Sequence, residues 1–226
     1  FVITHISYEA SDAYKEISAK ERDLVKDRFL VQPYDAQYDT VYQILFSTFD
    51  RKNTEVLEKL IGERVEQNYE VTECIENISS NSLNSAEAKN KLIHLYPLHP
   101  YTSFSATFLA RNVGSSQRSI FNFLTDKTTG FNSFLNQDIQ ERKFVTLDYI
   151  WDFFLPKLDE DHLYRDIIHC YTENRASLAK GPQNVLRVLK GVLLLNVLQS
   201  NVSVSEDSSE DQQMIAPYQN NIISAY

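Results

Sequence analysis

The residues best placed to do chemistry lie between Tyr96 and Leu124, in "YPLHPYTSFSATFLARNVGSSQRSIFNFL". Pro97 and Pro100 bracket His99, disfavour helix at Tyr96 and His99, and stop the helix before them. Pro100 suits the first turn of a new helix. That helix sets Tyr101, Phe104, Phe108 and Leu109 on one side, and Asn112 and Gly114 end it. Ser116 is then the N-cap of "QRSIFNFL", which buries Ile120, Phe121 and Leu124. Arg118 falls in the first turn of this second helix, where a cation opposes the helix dipole. Helix stability therefore does not account for it. Its guanidinium suits bidentate contact with phosphate or carboxylate. The plainer reading is a surface salt bridge to a nearby acid, and sequence physics alone favours that one.

Other clusters carry less. His94 and His99 are separated by prolines and make poor helix-face metal ligands. His162 and His169 could share a helical face, and His169 and Cys170 point in different directions. With no acid or thiol at ligand spacing, no metal site is expected. There is no G-x-S-x-G nucleophile motif. Asp159, Glu160 and Asp161 read as caps compensating a helix dipole. Tyr101, Phe104, Phe108, Phe121 and Phe123 read as core rather than a base-stacking platform, because basic residues do not interleave them.

The elements that must position these groups are mainly helical. "FVITHIS" (Phe1 to Ser7) and "RFLVQPY" (Arg28 to Tyr34) read as two short strands, the first apolar on both faces like a buried parallel strand. A polar helix from about Ser11 to Lys26 separates them. Helical spacing then takes over in Asp35 to Phe49 and again around Val56 to Val65. Ser85 is a further N-cap, and helices are expected at Tyr101–Arg111, Ser116–Thr125, Thr146–Phe154, Asp159–Ala179 and Pro182–Gln199. "SVSEDSSEDQQ" (Ser203 to Gln213) reads as a mobile acidic loop. The strand-like start at Phe1 and the apolar "MIAPYQNNIISAY" at the end suggest a piece of something longer.

Composition narrows the class. With 226 residues, of which 42% are hydrophobic, the chain can bury a real core. Five glycines suit helices better than a many-turned β-sandwich. A net charge of −9 gives no global electrostatic grip on nucleic acid. Two distant cysteines fit a reducing cytoplasm better than a disulfide scaffold. The longest apolar run, "GVLLLNVL" (Gly191 to Leu198), is of buried-helix length and too short to span a bilayer.

Taken in order, these segments resemble large bacterial P-loop ATPases of the AAA+/STAND kind, including ATPases of phage-defence and DNA-modification systems. The family pattern "LHPLT…L…AQNERTLFTFL" is similar to "LHPYTSFSATFLARNVGSSQRSIFNFL". "FVITHIS" resembles the strand after the Walker B strand, and "LVKDRFLVQPY" the "KVxGRFxxIPF" segment that follows. "FVTLDYIWDFF" and "VLRVLKGVLLLNVL" resemble later helices, so the likeness covers Phe1 to Leu198. It implies that Arg118 is a lid arginine reaching the nucleotide's phosphates. It makes His5 or Ser7 a sensor at the sheet's C-terminal edge, and aims Arg28 at a nucleotide across a subunit interface. ATP and Mg2+ would be bound by the complete protein. This chain has no G-x-x-x-x-G-K-[ST] and no Walker B acid pair, so the piece alone is not expected to hydrolyse ATP.

The resulting expectation is a mainly α chain: two strands from the edge of a P-loop α/β sheet, a helical lid, and the start of a winged-helix module. Residues 1–34 would belong to the ATPase core, 35–136 to the lid, 137–199 to a helical extension, and 200–226 to the acidic loop and a continuing segment. Partners would be the missing N-terminal ATPase core, further copies of the chain and other proteins. Nucleic acid has thin support from Arg187 and Lys190, and a membrane none. The alternative is a helical protein-interaction module with no nucleotide role.

Overall fold

The computed structural model describes residues 42, 45–49, 53–80, 86–112, 117–126, 128–136, 143–201 and 213–226. The chain divides into two units, Phe1–Ala36 and Gln37–Tyr226, and the described residues all belong to the second. They are mainly helical, as the periodicity predicts. The two expected strands and their sheet edge lie outside the described residues, as do residues 203–212 of the acidic segment. Among the described residues, no helix is long and apolar enough to cross a membrane.

Helix α1 (Thr54–Ile61) runs on into a π-helical stretch, Gly62–Glu66. Asn68 then caps α2 (Tyr69–Ile78), its side chain accepting from the N–H of Glu70 at 3.1 Å and of Val71 at 3.4 Å. Val71, Cys74, Ile75 and Ile78 form its buried stripe, the three- and four-residue spacing of an amphipathic helix. A short helix, α3 (Ala86–His94), follows.

The axis of the unit is α4 (Pro100–Asn112). Every residue from Tyr101 to Leu109 is buried, because α2, α3, α5 (Gln117–Thr125) and α9 (Gln183–Asn201) all pack against it. A helix enclosed on all sides has no polar face to offer. Between its aromatic rings α4 therefore carries small residues, Thr102, Ser103, Ser105, Ala106 and Thr107. The second central helix is α9, which packs against α4, α7 (Leu147–Glu160), α8 (Arg165–Leu178) and α10 (Gln219–Ile223). Its Leu193, Leu194, Leu195, Val197 and Leu198 are buried, so "GVLLLNVL" is the core run its length suggested.

Aromatic rings join the helices. Phe123 on α5 meets Phe153 on α7 at 5.5 Å, and Phe134 on α6 (Gly130–Leu135) meets Tyr149 on α7 at 5.7 Å. Trp151 on α7 meets Tyr171 on α8 at 5.3 Å. All three contacts are edge-to-face, the arrangement a ring quadrupole favours.

Two local expectations are corrected. The helix expected over Asp159–Ala179 is broken: α7 runs through Pro156 as far as Glu160, and Asp161 starts a 3-10 turn, His162–Tyr164, ahead of α8. Burial of Phe154 and Leu158 holds α7 together across the proline, although its ring removes a helical N–H. Asp159 and Glu160 thus end a helix instead of starting one. Of the three acids only Asp161 caps, accepting from the N–H of Leu163 at 3.0 Å.

The second correction is α6, which periodicity does not reveal. Its entry is built by Asp126, whose carboxylate accepts from the N–H groups of Thr128 and Thr129, both at 2.8 Å, and from both hydroxyls at 3.0 Å. The backbone N–H of Thr128, then that of Thr129, holds this carboxyl down at about 2. Gly130 follows at φ 61°, and a Cβ there would lie 2.6 Å from the carbonyl oxygen of Phe123. Only glycine fits both the left-handed backbone and that close approach.

Candidate functional site

Of the four residues implicated in nucleotide contact, His5, Ser7 and Arg28 lie outside the described residues. Arg118 is described as a backbone position, the second residue of α5. Helical register places it on the line of Phe121, Asn122 and Thr125, all of which are exposed. Ile120, Phe123 and Leu124 form the opposite, buried stripe. Phe121 is 48% exposed, which corrects its assignment to the core. The other four rings of the expected aromatic stripe are buried.

The "YPLHP" punctuation has a structural purpose. Leu98 forms a parallel β-bridge with Val145. The His99 N–H donates to the Val145 carbonyl at 3.0 Å, and the Val145 N–H to the Pro97 carbonyl at 2.8 Å. This clamp ties the start of α4 to the segment leading into α7. His99 caps α4: the Tyr101 N–H donates to its Nδ1 at 3.3 Å, so Nδ1 must be unprotonated. The ring is buried and edge-on to Phe144 at 5.3 Å, and burial pushes its pKa down to about 4.

The other histidines make local contacts. His94 Nδ1 lies 2.8 Å from the Asn90 carbonyl, His162 Nδ1 lies 3.2 Å from Arg165 Nη2, and His169 Nδ1 lies 3.4 Å from Glu173. Among the described residues no group of three His, Cys, Asp or Glu side chains is placed to hold a metal ion. Cys74 and Cys170 are free thiols.

A cleft of about 350 Å³ lies between the start of α6, α7, the end of α8 and α9. Ser133, Asp148, Asp152, Arg187 and Lys190 contribute its polar lining. Arg187 donates from Nε to Asp148 Oδ2 at 3.1 Å and from Nη2 to Thr146 Oγ1 at 2.8 Å, and the Thr146 hydroxyl donates to Asp148 Oδ1. One turn on, Lys190 donates to Asp152 at 2.7 Å. The two pairs stitch α7 to α9. Arg187 and Lys190, which from sequence gave only thin support for nucleic-acid contact, are thus turned onto α7. The signal for this was the matched spacing of two acids and two bases, 148/152 and 187/190.

A C-terminal segment closes the other side of Arg187. Ile215, Ala216 and Ala225 are buried, the Tyr101 hydroxyl donates to the Met214 carbonyl, and α10 rests on α9. Tyr226 donates from its hydroxyl to the Arg187 carbonyl at 2.6 Å and lays its ring 5.4 Å from the guanidinium. A Cβ on Gly191 would lie 2.6 Å from the Tyr226 hydroxyl oxygen, so this mid-helix glycine is the seat for the ring.

No family model, no curated protein and no solved structure matches this chain.

Proposed function

We propose that this chain supplies the helical lid of a P-loop ATPase, with Arg118 directed at the phosphates of the bound nucleotide. The observation that carries this is the placement of position 118. It lies in the first turn of α5, where the dipole disfavours a cation, on the line of exposed positions, while Ile120, Phe123 and Leu124 anchor the helix to the core. A helix so anchored is a rigid mount for an outward-acting group. The order of sequence segments that resemble the AAA+/STAND lid supports the same reading.

In this proposal ATP and Mg2+ are held by a core carrying the phosphate loop, which this sequence lacks. His5 or Ser7 acts as the sensor at the sheet edge, Arg28 reaches a neighbouring subunit's nucleotide, and Arg118 adds its own contact to the phosphates. Arg118→Glu, made in the protein that includes the ATPase core, lowers ATP turnover at least about tenfold while the far-UV circular dichroism stays the same. Unchanged turnover would remove Arg118 from the mechanism.

A second reading, a helical interaction module indifferent to nucleotide, is favoured by a different observation: Val56 on α1 and Tyr69 on α2 are large apolar side chains left well exposed. Stoichiometric recovery of one partner, equal with and without ATP and lost in Tyr69→Ala, would select this reading.

A further inference from the structure

We propose that the cleft between α6, α7 and α9 binds a small oxyanion, a carboxylate or phosphate group, through Lys190 and Arg187. The argument starts from a difference between its two ion pairs. In the first, the Asp148 side chain is 6% exposed and that of Arg187 23%. Thr146 bridges that pair and Tyr226 backs it, so it is locked in place.

In the second pair the burial is lopsided: the Lys190 side chain is 14% exposed, but that of Asp152 is 50% exposed. Most of the Lys190 side chain is packed away from solvent, so its ammonium is held at a fixed place in the cleft lining. The Asp152 carboxylate keeps half of its surface in solvent, so water offsets part of what it gives up when it leaves Lys190. A pair with one such partner is worth about 1 kcal/mol or less. Lys190 can therefore exchange Asp152 for an anion entering the cleft.

A second donor is ready beside it. Arg187, three residues earlier on α9, spends Nε on Asp148 and Nη2 on Thr146. Nη1 remains for a ligand oxygen, and the guanidinium's orientation is already fixed by those bonds. Ser133 adds a hydroxyl to the lining, and the 350 Å³ volume lies at the small end of ligand pockets. Asp148 stays in the site, and its charge favours a singly charged group over a dianion.

The test is thermal unfolding of the whole chain titrated with acetate or with inorganic phosphate, at constant ionic strength against chloride. Saturable stabilisation over chloride is expected from at least one of them. Tighter binding of acetate identifies a carboxylate ligand, and tighter binding of phosphate a phosphoryl one. Lys190→Gln abolishes the effect. Asp152→Asn, by removing the competitor, tightens binding about fivefold, the factor equivalent to a weak exposed pair. A purely structural ion pair gives a different pattern: no anion saturates, and Asp152→Asn only destabilises. That pattern overturns the proposal, as does binding that survives Lys190→Gln. Should Lys190→Gln fail to fold, the direction of the Asp152→Asn change still decides.

Discussion

His99→Asn should abolish one proton's worth of acid sensitivity while keeping α4 capped. In the folded chain His99 accepts the Tyr101 N–H through Nδ1 and is buried, which lowers its pKa from 6.5 to about 4. Between those values the unfolded chain binds a proton that the native state refuses. Stability therefore falls as pH falls, by about 1.4 kcal/mol per unit. The loss begins near pH 6.5 and saturates near 4, at about 3 kcal/mol in total. Asparagine is a strong N-cap and does not titrate. It forfeits the edge-on contact with Phe144, about 1 kcal/mol.

The variant should thus be less stable by about 1 kcal/mol at pH 7.5, equal near about pH 6, and more stable by about 2 kcal/mol at pH 4. Urea unfolding at these pH values reads the difference, followed by the fluorescence of Trp151, the single tryptophan and fully buried. A difference that stays constant from pH 7.5 to 4 would refute the assignment of His99 as a neutral buried cap.

Gly130→Ala should destabilise by about 3 kcal/mol, combining left-handed backbone strain with displacement of the Phe123 carbonyl; a thermal shift of under a degree or two would contradict this. Ser105→Ala should stabilise by up to about 1 kcal/mol, since the Ser105 hydroxyl is buried with no hydrogen-bond partner; a lowered melting temperature would mean that the hydroxyl is satisfied. Gly191→Ala should destabilise the chain by unseating Tyr226. In a Tyr226→Ala background the same change should stabilise it by about 1 kcal/mol, the helical preference for alanine, and absence of this sign reversal in a double-mutant cycle would sink the seat.

Much of the fold was legible from local chemistry. Pro100 after His99 announced the start of α4, the "GVLLLNVL" run announced a buried helix, and the helices expected at Ser116–Thr125 and Pro182–Gln199 correspond to α5 and α9. These are properties a short segment carries by itself: a fixed proline φ, a missing N–H, an apolar stripe. Arg118 in the first turn of α5 was legible for the same reason.

What neighbours impose was not legible. The helix expected to end at Phe154 continues, because burial of Phe154 and Leu158 carries α7 through Pro156. Phe121 reads as core because it is aromatic, but the packing of α5 turns Ile120, Phe123 and Leu124 inward and leaves it half exposed. Arg187 and Lys190 read as two basic residues with thin support for nucleic-acid contact, whereas α7 brings Asp148 and Asp152 against them. The sequence by itself determined that the described residues are mainly helical and located most of their helices, though not α6 or the start of α8. Only the tertiary structure decided which charges meet and which ring is left in water, because partner choice depends on residues some forty positions away, and local periodicity holds no information over that distance.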